Sequence, residues 1–238
     1  MTIDRKLVAA LYFFPLAVLA QDQPPRPGPS FVRAAAEAVV TAKPDRAVLD
    51  IGVVTQAQTA QNAGAQNATQ LEAAIREIRS AMGGAAELKT IGYSVRPDYR
   101  YPQGGGQPKI TGYTATNVLE VTLNEVSLAG KVIDVATQSG ANTVNGLRFT
   151  LKDESAVRTR ALREAAANAR AKTEAMAQAL GLRIVRVLSA EETGTNVIRP
   201  LAGEVQTFAR AAVAAPTPVE SGTIEVRANV TVTVEVSP

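Results

Sequence analysis

The strongest constraint on the fold lies near the C-terminus. Between residues 223 and 236, Ile224, Val226, Ala228, Val230, Val232, Val234 and Val236 alternate with Thr223, Glu225, Arg227, Asn229, Thr231, Thr233 and Glu235. Successive strand side chains point to opposite faces, so this run has one apolar face and one wet face. That pattern belongs to an antiparallel sheet with one covered side. At about 3.3 Å per residue the run reaches about 45 Å. Such a length predicts a strand that bends between two sheets or pairs beyond its own domain.

Upstream, hydrophobic periods of two and about 3.6 alternate, which signals mixed structure. A short strand over 37–41 leads through Ala42-Lys43-Pro44-Asp45 to a second, in which Ala47, Leu49, Ile51 and Val53 share a face. A helix follows from about Thr59, with Leu71, Ile75, Ile78 and Met82 as its apolar stripe and Gly83-Gly84 as its stop. Ile91, Tyr93 and Val95 mark one face of the next strand. Its return strand over 110–123 carries Tyr113, Ala115, Asn117, Leu119, Val121 and Leu123 on one side. A second helix spans 127–139, with Leu128, Val132 and Val135 inward and Gly140 beyond its end. In the strand after it, parity changes between Val144 and Leu147, which predicts a bulge across Asn145-Gly146.

A third helix starts at an N-cap, Asp153, and ends at Gly181. Its spacing puts Leu162, Ala166, Ala169, Thr173, Met176 and Leu180 on the buried side, so Met176→Asp is expected to be severely disruptive. A short strand over 184–188 precedes the final one. The fold class is therefore α+β. Its antiparallel sheets follow the ferredoxin-like order βαββαβ, an α-β-β unit is appended, and the helices pack on one face.

The ends suggest three sections. Arg5 and Lys6 precede an uncharged apolar stretch from Leu7 to Ala20, which closes as Val18-Leu19-Ala20 before Gln21-Asp22. That is the form of a cleaved signal peptide over 1–20, too short and too broken by Pro15 to span a bilayer. Residues 21–36 read as a Pro-rich linker and an uncertain first strand, and 37–237 as the folded domain. Within it, 195–220 is a flexible or amphipathic insertion; Val205, Phe208, Ala209 and Ala212 would share one helical face.

Two missing residue types restrict the chemistry. The chain has no Cys and no His. Disulfides, thiol chemistry, His-dependent triads and His-ligated metals are thereby excluded. A formal net charge of +3, with Lys and Arg scattered and 4% aromatic residues, argues against nucleic-acid binding. The expectation is a protein without catalytic residues, cofactor or metal ligands, and with no transmembrane helix in the mature chain.

Three clusters have the residue types of a site. Gly104-Gly105-Gly106 joins two strands and opens no helix, so it reads as a hairpin loop, not a phosphate cradle. Lys43-Pro44-Asp45-Arg46 reads as a charged turn. Charge and aromatic rings concentrate at Arg96, Tyr99 and Tyr101, which could meet a ligand or partner by stacking and charge-assisted hydrogen bonds. With Val205 and Phe208 they form the candidate interaction surface.

Several segments in order resemble the SIMPL-domain family of bacterial periplasmic proteins linked to oxidative-stress defence. They are Val39-Val40-Thr41-Ala42-Lys43-Pro44-Asp45-Arg46-Ala47 with Ile51-Gly52-Val53, Ile110-Thr111-Gly112-Tyr113 with Thr116-Asn117, and Ser139-Gly140-Ala141-Asn142 with Gly146-Leu147. The helix over 161–181, containing Ala169-Arg170-Ala171-Lys172, Val185 with Val187-Leu188, and the final strand complete the set. Arg33-Ala34-Ala35-Ala36-Glu37 departs from the Gly-rich opening strand usual in the family. The resemblance implies an exported, non-enzymatic protein, homo-oligomers of ring or channel form as in some members, and no catalytic residues. Periplasmic self-assembly is the leading expectation, with peripheral contact to the envelope. A module binding a small molecule or an envelope peptide through the Tyr99/Tyr101 region is the alternative, and a His-free hydrolase or transferase ranks last.

Overall fold

The computed structural model describes residues 30–198 and 217–238. The leader over 1–20, the linker as far as residue 29, and Val205 and Phe208 lie outside these residues. In chain order the elements are β1 (Phe31–Ala42), β2 (Arg46–Ala57), α1 (Ala60–Met82), β3 (Ala86–Arg100), β4 (Lys109–Leu123), α2 (Ala129–Gln138), β5 (Thr143–Thr150), α3 (Glu154–Ala179), β6 (Arg183–Ile198) and β7 (Ile224–Ser237). They form two antiparallel sheets, one ordered β3-β4-β2-β5 and the other β1-β7-β6.

The run from β2 to β5 is the expected βαββαβ unit, and its strand order is the ferredoxin-like one. Leu49, Ile51, Val53, Leu119, Val121, Leu123 and Phe149 face α1 and α2 in one apolar core. Thr59 caps α1 by accepting a hydrogen bond from the Asn62 N–H at 3.2 Å, and Gly83 ends it at φ 55°, a left-handed value suited to glycine. Pairing between β2 and β5 shifts register between Asp50 and Ile51, opposite Gly146 and Val144, which leaves Asn145 as the expected bulge. Just ahead of β5, Asn142 extends the ladder with its side chain: Oδ1 accepts from Val54 N–H at 2.9 Å and Nδ2 donates to Val54 O at 2.7 Å.

Within α1, Asn67 is fully buried. Its Nδ2 donates to Val53 O at 2.8 Å and to Ala115 O at 3.1 Å, tying the helix to the backbones of two neighbouring strands. Thr55 Oγ1 adds a buried bond to Ala63 O at 2.7 Å.

The three-stranded sheet corrects two sequence expectations. First, β7 neither bends between sheets nor pairs outside its domain. It is the central strand, paired with β1 from Ile224 to Glu235 and with β6 from Glu225 to Ser237. Its length is matched because its neighbours are also long: β1 begins at Phe31, and β6 continues to Ile198 through three register shifts.

Second, the buried stripe of α3 is Ala161, Ala165, Ala169, Thr173 and Ala177. Leu162 and Ala166 are only partly buried at its flank. Met176 is 45% exposed and Leu180 66%, so Met176→Asp loses the reason for its expected severity. A row of alanines lets the helix axis approach the sheet more closely than Leu and Met would, and the larger side chains sit at the margin. At its start, Asp153 Oδ1 accepts from the N–H groups of Ser155 and Ala156 at 2.9 and 3.1 Å. The Ser155 hydroxyl, then the Ala156 N–H, hold this carboxyl below its ordinary value.

A return segment ties the last strand to α2. Thr217 donates from its N–H and its Oγ1 to the Asp134 carboxylate at 3.2 and 2.6 Å, and Val219 packs on the core of the four-stranded sheet. Gly130 makes this approach geometrically feasible, because a Cβ there would stand 2.2 Å from Thr217 O. Gly130→Ala is accordingly expected to lower the urea midpoint, by about 1–3 kcal/mol of overpacking. Alanine alone would favour the helix by about 1 kcal/mol, so a neutral or stabilised variant would show that the segment gives way freely.

Candidate functional site

The Arg96/Tyr99/Tyr101 cluster lies at the far end of the β3–β4 hairpin. The two strands have fifteen residues each, and Pro97 and Ala57, which ends β2 just before α1, both stand opposite Tyr113. The ladder shifts register between Asp98 and Tyr99, so Tyr99 stands opposite Ile110 while Asp98 stands opposite Gly112. The shift is stabilised locally. Thr114 Oγ1 lies 2.9 and 2.8 Å from the two Asp98 carboxylate oxygens, and Thr111 Oγ1 donates to Asp98 O at 3.1 Å.

Asp98 borders two open hollows. One of 370 Å³ is lined by Ser94, Arg96, Pro97, Asp98, Thr114 and Thr116. The other, of 240 Å³, is lined by Gln56, Ala57, Gln58, Asp98, Thr111 and Gly112. Arg96 therefore stands at a polar depression with hydroxyl and carboxylate neighbours. Tyr99 and Tyr101 line neither hollow and are 51% and 73% exposed. The structure thus separates the arginine from the two rings with which the sequence grouped it.

On the same outer face is a cluster that the sequence reading missed. Asp50 and Glu120 stand directly opposite each other on β2 and β4, an arrangement that repels. Arg148 on β5 resolves it. Its Nη1 lies 2.6 Å from Asp50 Oδ2, and its Nη2 lies 3.2 Å from both Asp50 Oδ1 and Glu120 Oε2. The hydrogen bonds to Asp50 hold the guanidinium above its ordinary pKa, against the opposing effect of partial burial. With two carboxylates on one arginine, the group is a cross-strand brace, not a free anion site. No spacing in the sequence could have found it, because the three residues meet only through strand register.

Among the described residues no three Asp or Glu side chains gather to hold a metal ion, and no helix is long and apolar enough to cross a membrane.

Comparison with known proteins places the fold. The SIMPL model, described as a protein of unknown function (DUF541), matches residues 32–234. The chain belongs to the SIMPL family. The 26 kDa periplasmic immunogenic proteins of Brucella melitensis and Brucella abortus are each 30% identical to it over 228 residues, covering 94% of this chain and 91% of theirs. The uncharacterized protein YggE of Edwardsiella ictaluri is 24% identical over 152 residues, 64% of this chain and 63% of its own. The match of 32–234 includes nearly all of β1, so the Ala-rich opening strand belongs to the SIMPL domain despite its departure from the usual Gly-rich form.

Proposed function

We propose that this SIMPL protein is exported to the periplasm, has no catalytic activity, and works by assembling with copies of itself in envelope or stress defence. Export is supported by relatives along 94% of the chain that are described as periplasmic, together with the leader pattern over 1–20. The observation that carries self-assembly is the surface of β6. It is an edge strand, and Val185, Val187 and Leu188 on it are 57%, 54% and 40% exposed. Apolar side chains grouped on an edge strand favour burial against a partner. The reading without catalysis rests on a chain lacking His and Cys, whose hollows are open.

Native mass measurement on the secreted protein tests the assembly. A mass that is a multiple of the protomer at tens of micromolar is expected, with the chain beginning at Gln21. A strict monomer at that concentration would remove the proposal.

The Arg96 hollow favours a second reading, a binding site for a small polar molecule or an envelope peptide. A hollow that binds nothing from a panel of polar metabolites and cell-wall peptides, read by changes in amide chemical shift at Ser94 and Thr116, would dismiss it.

A further inference from the structure

Among the described residues the two sheets have four edge strands: β1 and β6 on one, β3 and β5 on the other. Three are irregular. Pairing of β6 with β7 shifts register three times, that of β3 with β4 twice, and that of β5 with β2 once. Bulges of this kind twist an edge away from an incoming strand. β1 differs, for it pairs with β7 through all twelve of its residues without a shift. It is the regular edge, the one best suited to accept a strand from another chain.

A row of side chains from α3 lies along that edge. Arg160 Nη2 donates to Thr41 O at 3.1 Å, Asn168 Nδ2 to Glu37 O at 3.3 Å, and Lys172 Nζ to Ala35 O at 3.0 Å. In an antiparallel strand the N–H and C=O of one residue point to the same side. Ser30 O is bound within the sheet by Val236 N–H, so the alternate, odd-numbered residues of β1 direct theirs outward.

The spacing follows from geometry. Eight helical residues rise about 12 Å and four about 6 Å. Four strand residues rise about 13 Å and two about 6.6 Å. Arg160, Asn168 and Lys172 therefore keep step with the outward carbonyls of residues 41, 37 and 35. Positions 164 and 176 belong to the same row but carry Glu and Met, which have no N–H to offer.

We propose that Arg160, Asn168 and Lys172 close the β1 edge, occupying the carbonyls that a β1 strand of a second copy would need for its ladder. The closure is independent of assembly through β6, which would proceed by side-chain packing. It directs association away from β1.

The test is the variant Arg160→Ala/Asn168→Ala/Lys172→Ala in the mature chain. Alanine is the best helix former, so α3 itself is not weakened by propensity. Mass distribution and hydrogen exchange at the Ala35, Glu37 and Val39 amides are read beside the parent. The expected result is an association constant raised by about tenfold or more over the parent's, with those amides newly protected. An unchanged mass distribution, or new association that leaves the amides unprotected, would overturn the proposal. Should the triple variant unfold, Lys172→Met and Asn168→Ala, each made alone, are read by the same two measurements and decide it on the same terms. The parent's own mass tests assembly and this difference tests closure, so the two can fail separately.

Discussion

Ala169→Asp is expected to unfold the three-stranded half of the molecule, whereas Met176→Asp, seven residues further along the same helix, should leave it folded. Ala169 is fully buried between α3 and the sheet, in a cluster with Ala36, Ala38, Val226 and Val230. A carboxylate placed there has no partner and no water. The cost is about 4 kcal/mol or more, a large part of the 5–15 kcal/mol typical of a whole domain. Met176 is 45% exposed, so an aspartate there stays hydrated. Its loss is about 1 kcal/mol or less, from helix propensity and a negative charge near the helix C-terminus. Urea unfolding followed by circular dichroism would compare them. Equal losses would mean that the alanine row is not the packed face.

The second large effect is expected at Asn67. Aspartate has nearly the same shape, but it sets an oxygen against Val53 O and Ala115 O where the amide now donates to both. Two buried hydrogen bonds become two repulsions, for about 3–5 kcal/mol. The loss should also depend on pH in a definite direction. Burial raises the folded-state pKa of such a carboxyl above the unfolded value of about 3.9. Stability is then best kept below that value and falls as pH rises through the folded pKa. An Asn67→Asp variant as stable at pH 7 as at pH 4 would mean that this side chain reaches water.

Much of this fold was legible because its strongest patterns are local. The alternation of β7 fixed an apolar face whatever its neighbours, and the parity break at Asn145-Gly146 located a bulge before any pairing was known. What stayed hidden depends on partners distant in sequence. Ala34-Ala35-Ala36 favours no strand by itself, and β1 takes its form from the ladder to β7. Residues 189–198 are polar and turn-like, yet the other edge of β7 extends them. In α3, hydrophobicity pointed to Leu162 and Met176, whereas close approach to the sheet selects the alanines beside them. Among the site residues, Arg96 could be picked out by local charge. The Asp50–Glu120–Arg148 brace could not, since it exists only when three strands are in register.

The pairing of β1 with β7 also orders events in time. A chain emerging N-terminus first, from a ribosome or a membrane pore, presents β1 at the start and β7 only near the end. The unit from β2 to β5 has every strand it needs long before then. β7 is the strand on which both β1 and β6 form their ladders, so a product that stops short of Ile224 leaves both without that strand partner. Closing so long a loop is also slow. The three-stranded sheet therefore cannot form until the chain has been made through β7.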